Sequence, residues 1–434
     1  MRIVVRSSNA RAAREAQDFL RIASIEATAM TDARAAPDGQ DMLIVPALDG
    51  DIDQARAFAA DARASKQPPL AVLAGVRWAD APPKRLAGDP DFSGAIALDA
   101  PPDVLAAQVT AYERVAIASE ESARRGASAA EANAPTPAPP EARKLKALYV
   151  GAPSPIFLKL EHTLAEQGGL VAAAFSSFAG FDHLHDDEFD AVVLNGAQNP
   201  ATAISLCAAL RRNAQLYHLP TMVVVAPDDT ATAKSAFDRG ASSVSTVNAS
   251  SGASLGWLFE AIRRNRARKA AEHTLRALRD LLGDPRTGLF RRQHFNAHLS
   301  RLAADHHESG RQLALAALRV LPAHGATQPS AEVWKRGFTE IASLTGRLIR
   351  EYDCAAVIGE DLIALAMPAS DVIGAKRMAE RIASVAECTA FAAGDDGAVP
   401  LIFEQSAVEL QPGESGAGLL ARALRLFENE SLSA

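Results

Sequence analysis

One rhythm occurs twice in this chain: apolar runs of strand length alternate with longer stretches in helical period. In the first copy the runs are Ile3–Val5, Met42–Val45, Leu70–Ala74 and Ala95–Leu98. In the second they are Ala147–Val150, Ala191–Leu194, Thr221–Val225 and Ser243–Val247. Short runs that are apolar throughout belong to strands buried on both faces, and strands separated by helices pair in parallel. Two tandem α/β domains with parallel sheets are therefore expected before the C-terminal third is considered.

The chain has 434 residues, more than one ordinary domain needs, and 48% of them are hydrophobic. No apolar run approaches the ~20 residues that span a bilayer, and no signal-peptide pattern opens the sequence. Cys207, Cys354 and Cys388 are scattered, which fits neither a disulfide framework nor a metal site and points to the reducing cytoplasm. A net charge of -7 argues against non-specific nucleic-acid binding. The stretch Ser122–Pro140 is rich in alanine and proline and reads as a linker. The expected division is 1–118, a first α/β domain; 119–143, a Pro/Ala-rich linker; 144–266, a second α/β domain; 267–282, a connecting helix; and 283–434, a third domain. An arginine-rich helical pattern from about Ser254 to Leu282 ends at Gly283-Asp284-Pro285, where proline stops the helix.

The two early domains resemble tandem response-regulator receivers, which have a flavodoxin-like, doubly wound parallel sheet. Phe189-Asp-Ala-Val-Val-Leu-Asn195, Leu219-Pro-Thr-Met-Val-Val-Val and Phe237-Asp-Arg-Gly-Ala-Ser-Ser carry the better match. Receiver phosphorylation needs an aspartate nucleophile, acids that hold Mg²⁺ and a lysine that meets the phosphoryl group. At those positions the second copy has Asn195, Gly151 with Ala152, and Val247, with Val225 at the hydroxyl position. The first has Pro46, Arg6 with Ser7, Leu98 and Ala74. Neither copy is expected to be a phosphoacceptor; Asp49 and Asp51 lie just beyond Pro46 but lack the supporting residues. Both domains are expected to serve as dimerisation or docking surfaces.

The third domain contains Arg350-Glu-Tyr-Asp353-Cys-Ala-Ala-Val-Ile-Gly359-Glu360-Asp361-Leu362-Ile363. It opens with Asp284-Pro-Arg-Thr287-Gly288-Leu289-Phe-Arg-Arg-Gln-His-Phe295 and closes with Ala417-Gly-Leu-Leu-Ala-Arg-Ala-Leu-Arg-Leu-Phe. With Ala366-Met-Pro368 and Ala379-Glu-Arg381-Ile, these segments resemble the diguanylate-cyclase (GGDEF) family. The resemblance implies a nucleotidyl-cyclase-like α/β fold over most of Gly283–Ala434. In that family an R-x-x-D pair ahead of the signature turn binds cyclic di-GMP as an inhibitor.

The cyclase half of this pattern is eroded. Glu360 replaces the turn's second glycine and Leu362 its glutamate, leaving Asp361 alone. Leu318 or Arg319 falls where a metal-binding aspartate belongs, and a cation there repels Mg²⁺. The guanine-binding segment is replaced by Pro322-Ala-His-Gly-Ala-Thr-Gln-Pro-Ser. No catalytic residue, metal or cofactor is expected. The ligand half persists in Arg350, Asp353 and Arg381, where Arg381 matches a further arginine of the family's site. An arginine fork suits guanine O6 and N7, and a carboxylate accepts from guanine N1 and N2. The bland alternative is an Arg350–Asp353 surface ion pair, worth roughly 0–1 kcal/mol.

Other candidates weigh less. Asp305-His306-His307-Glu308 reads as a solvated helix face, and Cys354 as core packing. The Arg263–Arg268 cluster reads as a basic helix that could help cage the ligand.

The expected function is a cyclic di-GMP receptor rather than an enzyme. The receiver–receiver–GGDEF layout further resembles polar effectors of stalked alphaproteobacteria. That resemblance implies a homodimer and, at a cell pole, recruitment by polar localisation factors and of a proteolysis adaptor. The adaptor would deliver the regulator CtrA to the ClpXP protease. The rivals are a weak or conditional diguanylate cyclase and a ligand-independent scaffold.

Overall fold

The computed structural model describes residues 2–31, 41–48, 52–65, 67–80, 82, 89–135, 137–138, 141, 143–248, 253–326, 328–389, 393–394 and 397–431. The fold is α/β. The first sheet comprises β1 (Ile3–Arg6), β2 (Ala27–Met30), β3 (Met42–Pro46), β4 (Ala71–Val76) and β5 (Gly94–Ala97). Its strands are all parallel, in the order β2-β1-β3-β4-β5. Helices α1 (Ala10–Ile22), α2 (Ile52–Arg63) and α3 (Pro102–Glu131) accompany it.

The second sheet repeats the plan with β6 (Lys146–Val150), β7 (Leu170–Ala174), β8 (Ala191–Asn195), β9 (Thr221–Val225) and β10 (Ser243–Thr246). Its order is β7-β6-β8-β9-β10, again parallel. Helices α4 (Pro155–Glu166), α5 (Ser177–Asp186), α6 (Pro200–Arg212), α7 (Thr230–Asp238) and α8 (Ala253–Leu282) go with it. Numbered within each copy, the order is 2-1-3-4-5, that of doubly wound flavodoxin-like folds. The expected strands form. Both unanticipated ones, β2 and β7, are sheet edges whose residues are mostly half-exposed, so no continuous apolar run announced them.

The third sheet is antiparallel, in the order β12-β13-β11-β16. It comprises β11 (Leu313–Pro322), β12 (Cys354–Val357), β13 (Leu362–Pro368) and β16 (Leu401–Glu409), with a two-residue hairpin of β14 (Ala393–Gly394) and β15 (Gly397–Ala398) between the last two. The helices are α9 (Arg292–Ser309), α10 (Ala331–Leu348), α11 (Val372–Glu387) and α12 (Gly416–Ser431). Strand β11 is buried on both faces. Leu313, Leu315 and Ala317 pack with Phe295, Leu299, Leu419 and Phe427 of α9 and α12. Ala314, Ala316 and Leu318 pack with Phe338 and Ile341 of α10 and Ala379 and Ile382 of α11. The sheet is thus sandwiched between two helical layers.

Contacts divide the chain into two compact units. One holds Arg2–Val115 with Glu141–Lys269; the other holds Ala116–Pro140 with Ala270–Ala434. This corrects the expected linker at 119–143, because α3 runs through it to Glu131. Alanine, glutamate and arginine look like low complexity, yet they are among the best helix formers. Glu121, Arg125 and Ala129 are buried there against the C-terminal domain. The helix stops where Asn133 takes a left-handed conformation (φ 54°) and the Ala134 N–H returns to the Ala129 carbonyl. Among the described residues, none between Ala134 and Arg143 is helix or strand, and Pro135 cannot continue the ladder.

Candidate functional site

Helix α10 ends at Leu348, and Ile349 is extended (φ -76°, ψ 163°), turning the chain outward. Residues 350–353 then close on themselves. The Asp353 N–H donates to the Arg350 carbonyl at 3.0 Å, and the Arg350 N–H donates to Asp353 Oδ2 at 3.0 Å. Strand β12 begins at the next residue, which fixes this turn at the sheet's edge. The Arg350 side chain is exposed, with its guanidinium 5.7 Å from the Tyr352 ring centre. No ion pair joins Arg350 to Asp353 among the described residues, so the bland surface-pair reading does not describe this turn.

Arg381, on α11, is also exposed. It donates to the Leu348 carbonyl and lies 3.1 Å from Met378 Sδ. Arg381 is thus anchored at the end of α10, two residues before Arg350. Asp353 departs from expectation: it is buried, at 3% exposure, rather than sharing the surface with Arg350. Its short side chain reaches back to cap the turn, which draws the carboxylate inward. Oδ1 has no hydrogen-bond partner. Burial pushes this carboxyl up to about 6, against the opposing pull of the Arg350 charge and backbone N–H and of Arg125.

Beneath the turn lies a buried ionic cluster that sequence reasoning missed. Arg125, on α3, donates to the Glu351 carbonyl at 3.0 Å and the Asp353 carbonyl at 2.9 Å. Its Nε meets Glu121 Oε1 at 2.8 Å, and its guanidinium covers the Phe290 ring at 5.2 Å. Glu121 also receives Arg124 at 2.7 Å and faces His298 Nε2 at 2.7 Å, while Ser128 Oγ lies 3.0 Å from His298 Nδ1. Burial alone would raise the Glu121 carboxyl, but the charges of His298, Arg125 and Arg124 hold it below the usual range. Glu and Arg at i, i+3 and i+4 was the available signal, hidden by the linker reading.

At the signature turn, β12 and β13 form a hairpin in which Val357 faces Ile363. The Asp361 carbonyl accepts from the Val320 N–H at 2.8 Å, and the Glu360 carbonyl accepts from Trp334 Nε1 at 3.1 Å. Leu318 points into the core, so Arg319 is the residue that reaches the turn. Its guanidinium stands 3.9 Å from Asp361 Oδ2 and 3.2 Å from Glu404, over the Phe427 ring. The remaining acid of the turn already faces a cation.

In the second sheet, Asn195 Nδ2 donates to the Ala152 carbonyl at 2.7 Å, and Asn195 Oδ1 accepts from the Ala197 N–H at 3.2 Å. Gly151 has φ +120°, and a Cβ there would stand 3.0 Å from the Asn195 Cβ and carbonyl oxygen, so an acidic side chain does not fit. In the first sheet Arg6 is buried, donates to Asp61 at 2.7 Å and covers Phe58. Asp49 and Asp51 lie outside the described residues. His306 corrects the solvated-face reading: it is buried, and its Nδ1 lies 2.8 Å from the Leu302 carbonyl. Cys354 is buried in the core. In the basic helix, Arg263 pairs with Glu260 and Arg266 grips both oxygens of Asp190, so neither is idle.

No protein-family model matches this chain, and no curated protein does. Solved structures similar to it include the GGDEF domain of DgcB from Caulobacter crescentus in complex with c-di-GMP, at 20% identity and TM-score 0.30, covering 35% of this chain and 88% of that one. The FimX GGDEF domain from Pseudomonas aeruginosa is 16% identical, TM-score 0.29, covering 35% and 94%. A response regulator receiver domain protein from Clostridium thermocellum is 18% identical, TM-score 0.25, covering 28% and 97%. No helix among the described residues is long and apolar enough to cross a membrane.

Proposed function

We propose that this protein is a non-catalytic receptor for cyclic di-GMP that binds the dinucleotide at Arg350, Asp353 and Arg381. The observation that carries the reading is an exposed Arg350 fork beside Arg381, above a carboxyl whose Oδ1 has no donor. A buried oxygen without a partner is costly, and a guanine N1–H or N2–H would relieve it once the Asp353 side chain swings outward over an unchanged backbone turn. Arg350 then reads guanine O6 and N7, while Arg381 faces the phosphodiesters. Cyclase chemistry is opposed by Arg319, which sets a cation against Asp361 where Mg²⁺ would have to sit.

At a finer level, the receiver–receiver–GGDEF layout supports a PopA-like role. The two receiver-like domains, without phosphoacceptors, offer surfaces for homodimerisation and for a proteolysis adaptor and polar localisation factors. Ligand would select the arrangement competent for recruitment, shifting populations by its difference in affinity between arrangements. The output is cell-cycle control through CtrA and ClpXP, in the cytoplasm at a cell pole.

One observation favours a ligand-independent scaffold instead, namely the burial of Asp353. Calorimetry separates the two. Cyclic di-GMP should bind the wild type and not Arg350→Ala, and GTP with Mg²⁺ should yield no product. Equal affinity in wild type and variant would remove the receptor assignment, and product formation would restore the cyclase.

A further inference from the structure

The proposed ligand chemistry makes no use of the ionic cluster under the turn, although its burial is expensive. Charges taken out of water are repaid only by good geometry, and apolar replacements of the same volume usually serve stability equally well. This cluster does something an apolar core cannot. Arg125 spends its two terminal nitrogens on the carbonyls of Glu351 and Asp353, two residues apart in the turn that presents Arg350. Its third nitrogen is held by Glu121, which His298 and Arg124 hold in turn. A planar fork spans two carbonyls with fixed spacing, whereas a lysine ammonium reaches them only as a point charge.

Arg125 belongs to α3, which begins at Pro102, directly after the first sheet's last strand, and continues to Glu131. Ser128 and Arg124 fasten the same helix to α9 through His298 and Asp305, the latter at 2.8 Å. The segment Ala116–Glu131 is therefore tied both to the C-terminal domain's helical layer and to the backbone of the ligand turn.

We infer that Arg125 is a positioning residue for the cyclic di-GMP site, and that docking of the α3 segment 116–131 and ligand binding at Arg350 are coupled. This rests on the receptor reading above. Seating the helix fixes the 350–353 turn in the shape that presents the Arg350 fork. By reciprocity, ligand holding the turn holds the helix.

The test uses the full chain, calorimetry with cyclic di-GMP, and hydrogen exchange with and without it. Arg125→Lys keeps the charge beside Glu121 and loses the two-carbonyl fork. Its affinity should fall about tenfold, within the usual range of coupled sites. Exchange at residues 350–354 should quicken without ligand, while β11 and β13 stay protected. In the wild type, ligand should slow exchange across 119–131 as well as in the turn, which a merely structural arginine would not produce. Should Arg125→Lys fail to fold, Glu121→Gln with Arg125→Met removes both charges together, and the same tenfold loss is expected. Wild-type affinity in a folded Arg125 variant, or no ligand effect on 119–131, overturns the coupling while Arg350 dependence leaves the receptor standing. Absence of binding by the wild type overturns both.

Discussion

Replacing Asp353 with asparagine isolates the cost of holding a carboxylate inside the 350–353 turn. Asparagine keeps an oxygen to accept from the Arg350 N–H and removes only the ability to ionise. The buried carboxyl sits at about 6 rather than 3.8, which corresponds to roughly 3 kcal/mol of stability. The sign follows from proton affinity. The native carboxyl holds its proton more tightly than the unfolded chain does, so wild-type stability is greatest below about pH 4. It declines as pH rises toward 6 and levels off beyond. Asp353→Asn lacks that decline, so its stability relative to wild type should improve by up to about 3 kcal/mol between pH 4 and pH 8. Native-state hydrogen exchange of β11 and β13 amides in both proteins measures this, because intrinsic exchange rates cancel in the ratio. A difference that stays flat from pH 4 to pH 8 would show that the carboxyl is solvated, refuting the buried turn. The same variant should lose cyclic di-GMP, since an amide nitrogen can face a guanine donor where an acceptor is required.

Other perturbations test separate parts. Arg319→Ala frees Asp361 and Glu404, yet incubation with labelled GTP and Mg²⁺ should still give no product, because Leu318 leaves the second metal-binding acid missing. Asn195→Asp should remain unphosphorylated by acetyl phosphate on a mobility-shift gel, since Gly151 and Ala152 offer no carboxylates. His306 is lowered to about 4, by burial and then by Arg124, so its contribution is present above pH 6.5 and is lost as pH falls through 4. His306→Gln should make unfolding of the C-terminal unit less acid-sensitive, by roughly 3 kcal/mol over that window. Leu315→Ala, in the central strand, should cost ~2–5 kcal/mol in denaturant unfolding of that unit.

The parallel sheets were legible because their central strands are apolar on both faces, as Met42–Pro46 and Thr221–Val225 show. Edge strands β2 and β7 were not, since half-exposed strands need no apolar run. Helix α8 was readable from its arginine pattern and its proline stop, whereas α3 was concealed because its buried face is charged. Glu121, Arg124 and Arg125 look solvated until a partner helix brings His298 and Asp305 to them. For the same reason, spacing singled out Arg350, Asp353 and Arg381 as candidates but did not reveal that Asp353 caps its own turn. Sequence spacing fixes which residues are neighbours; the direction of a short side chain at a turn depends on backbone groups it meets only after folding.

The guanidinium of Arg319 against Asp361 bears on what such a sensor would report. Cells hold far more precursor nucleotide than second messenger, and an enzyme-like pocket would fill with the precursor first. With Asp361 set against its own cation, Mg²⁺ would have no carboxylate there to hold a triphosphate by, and occupancy at Arg350 would follow the messenger rather than swings in the triphosphate supply.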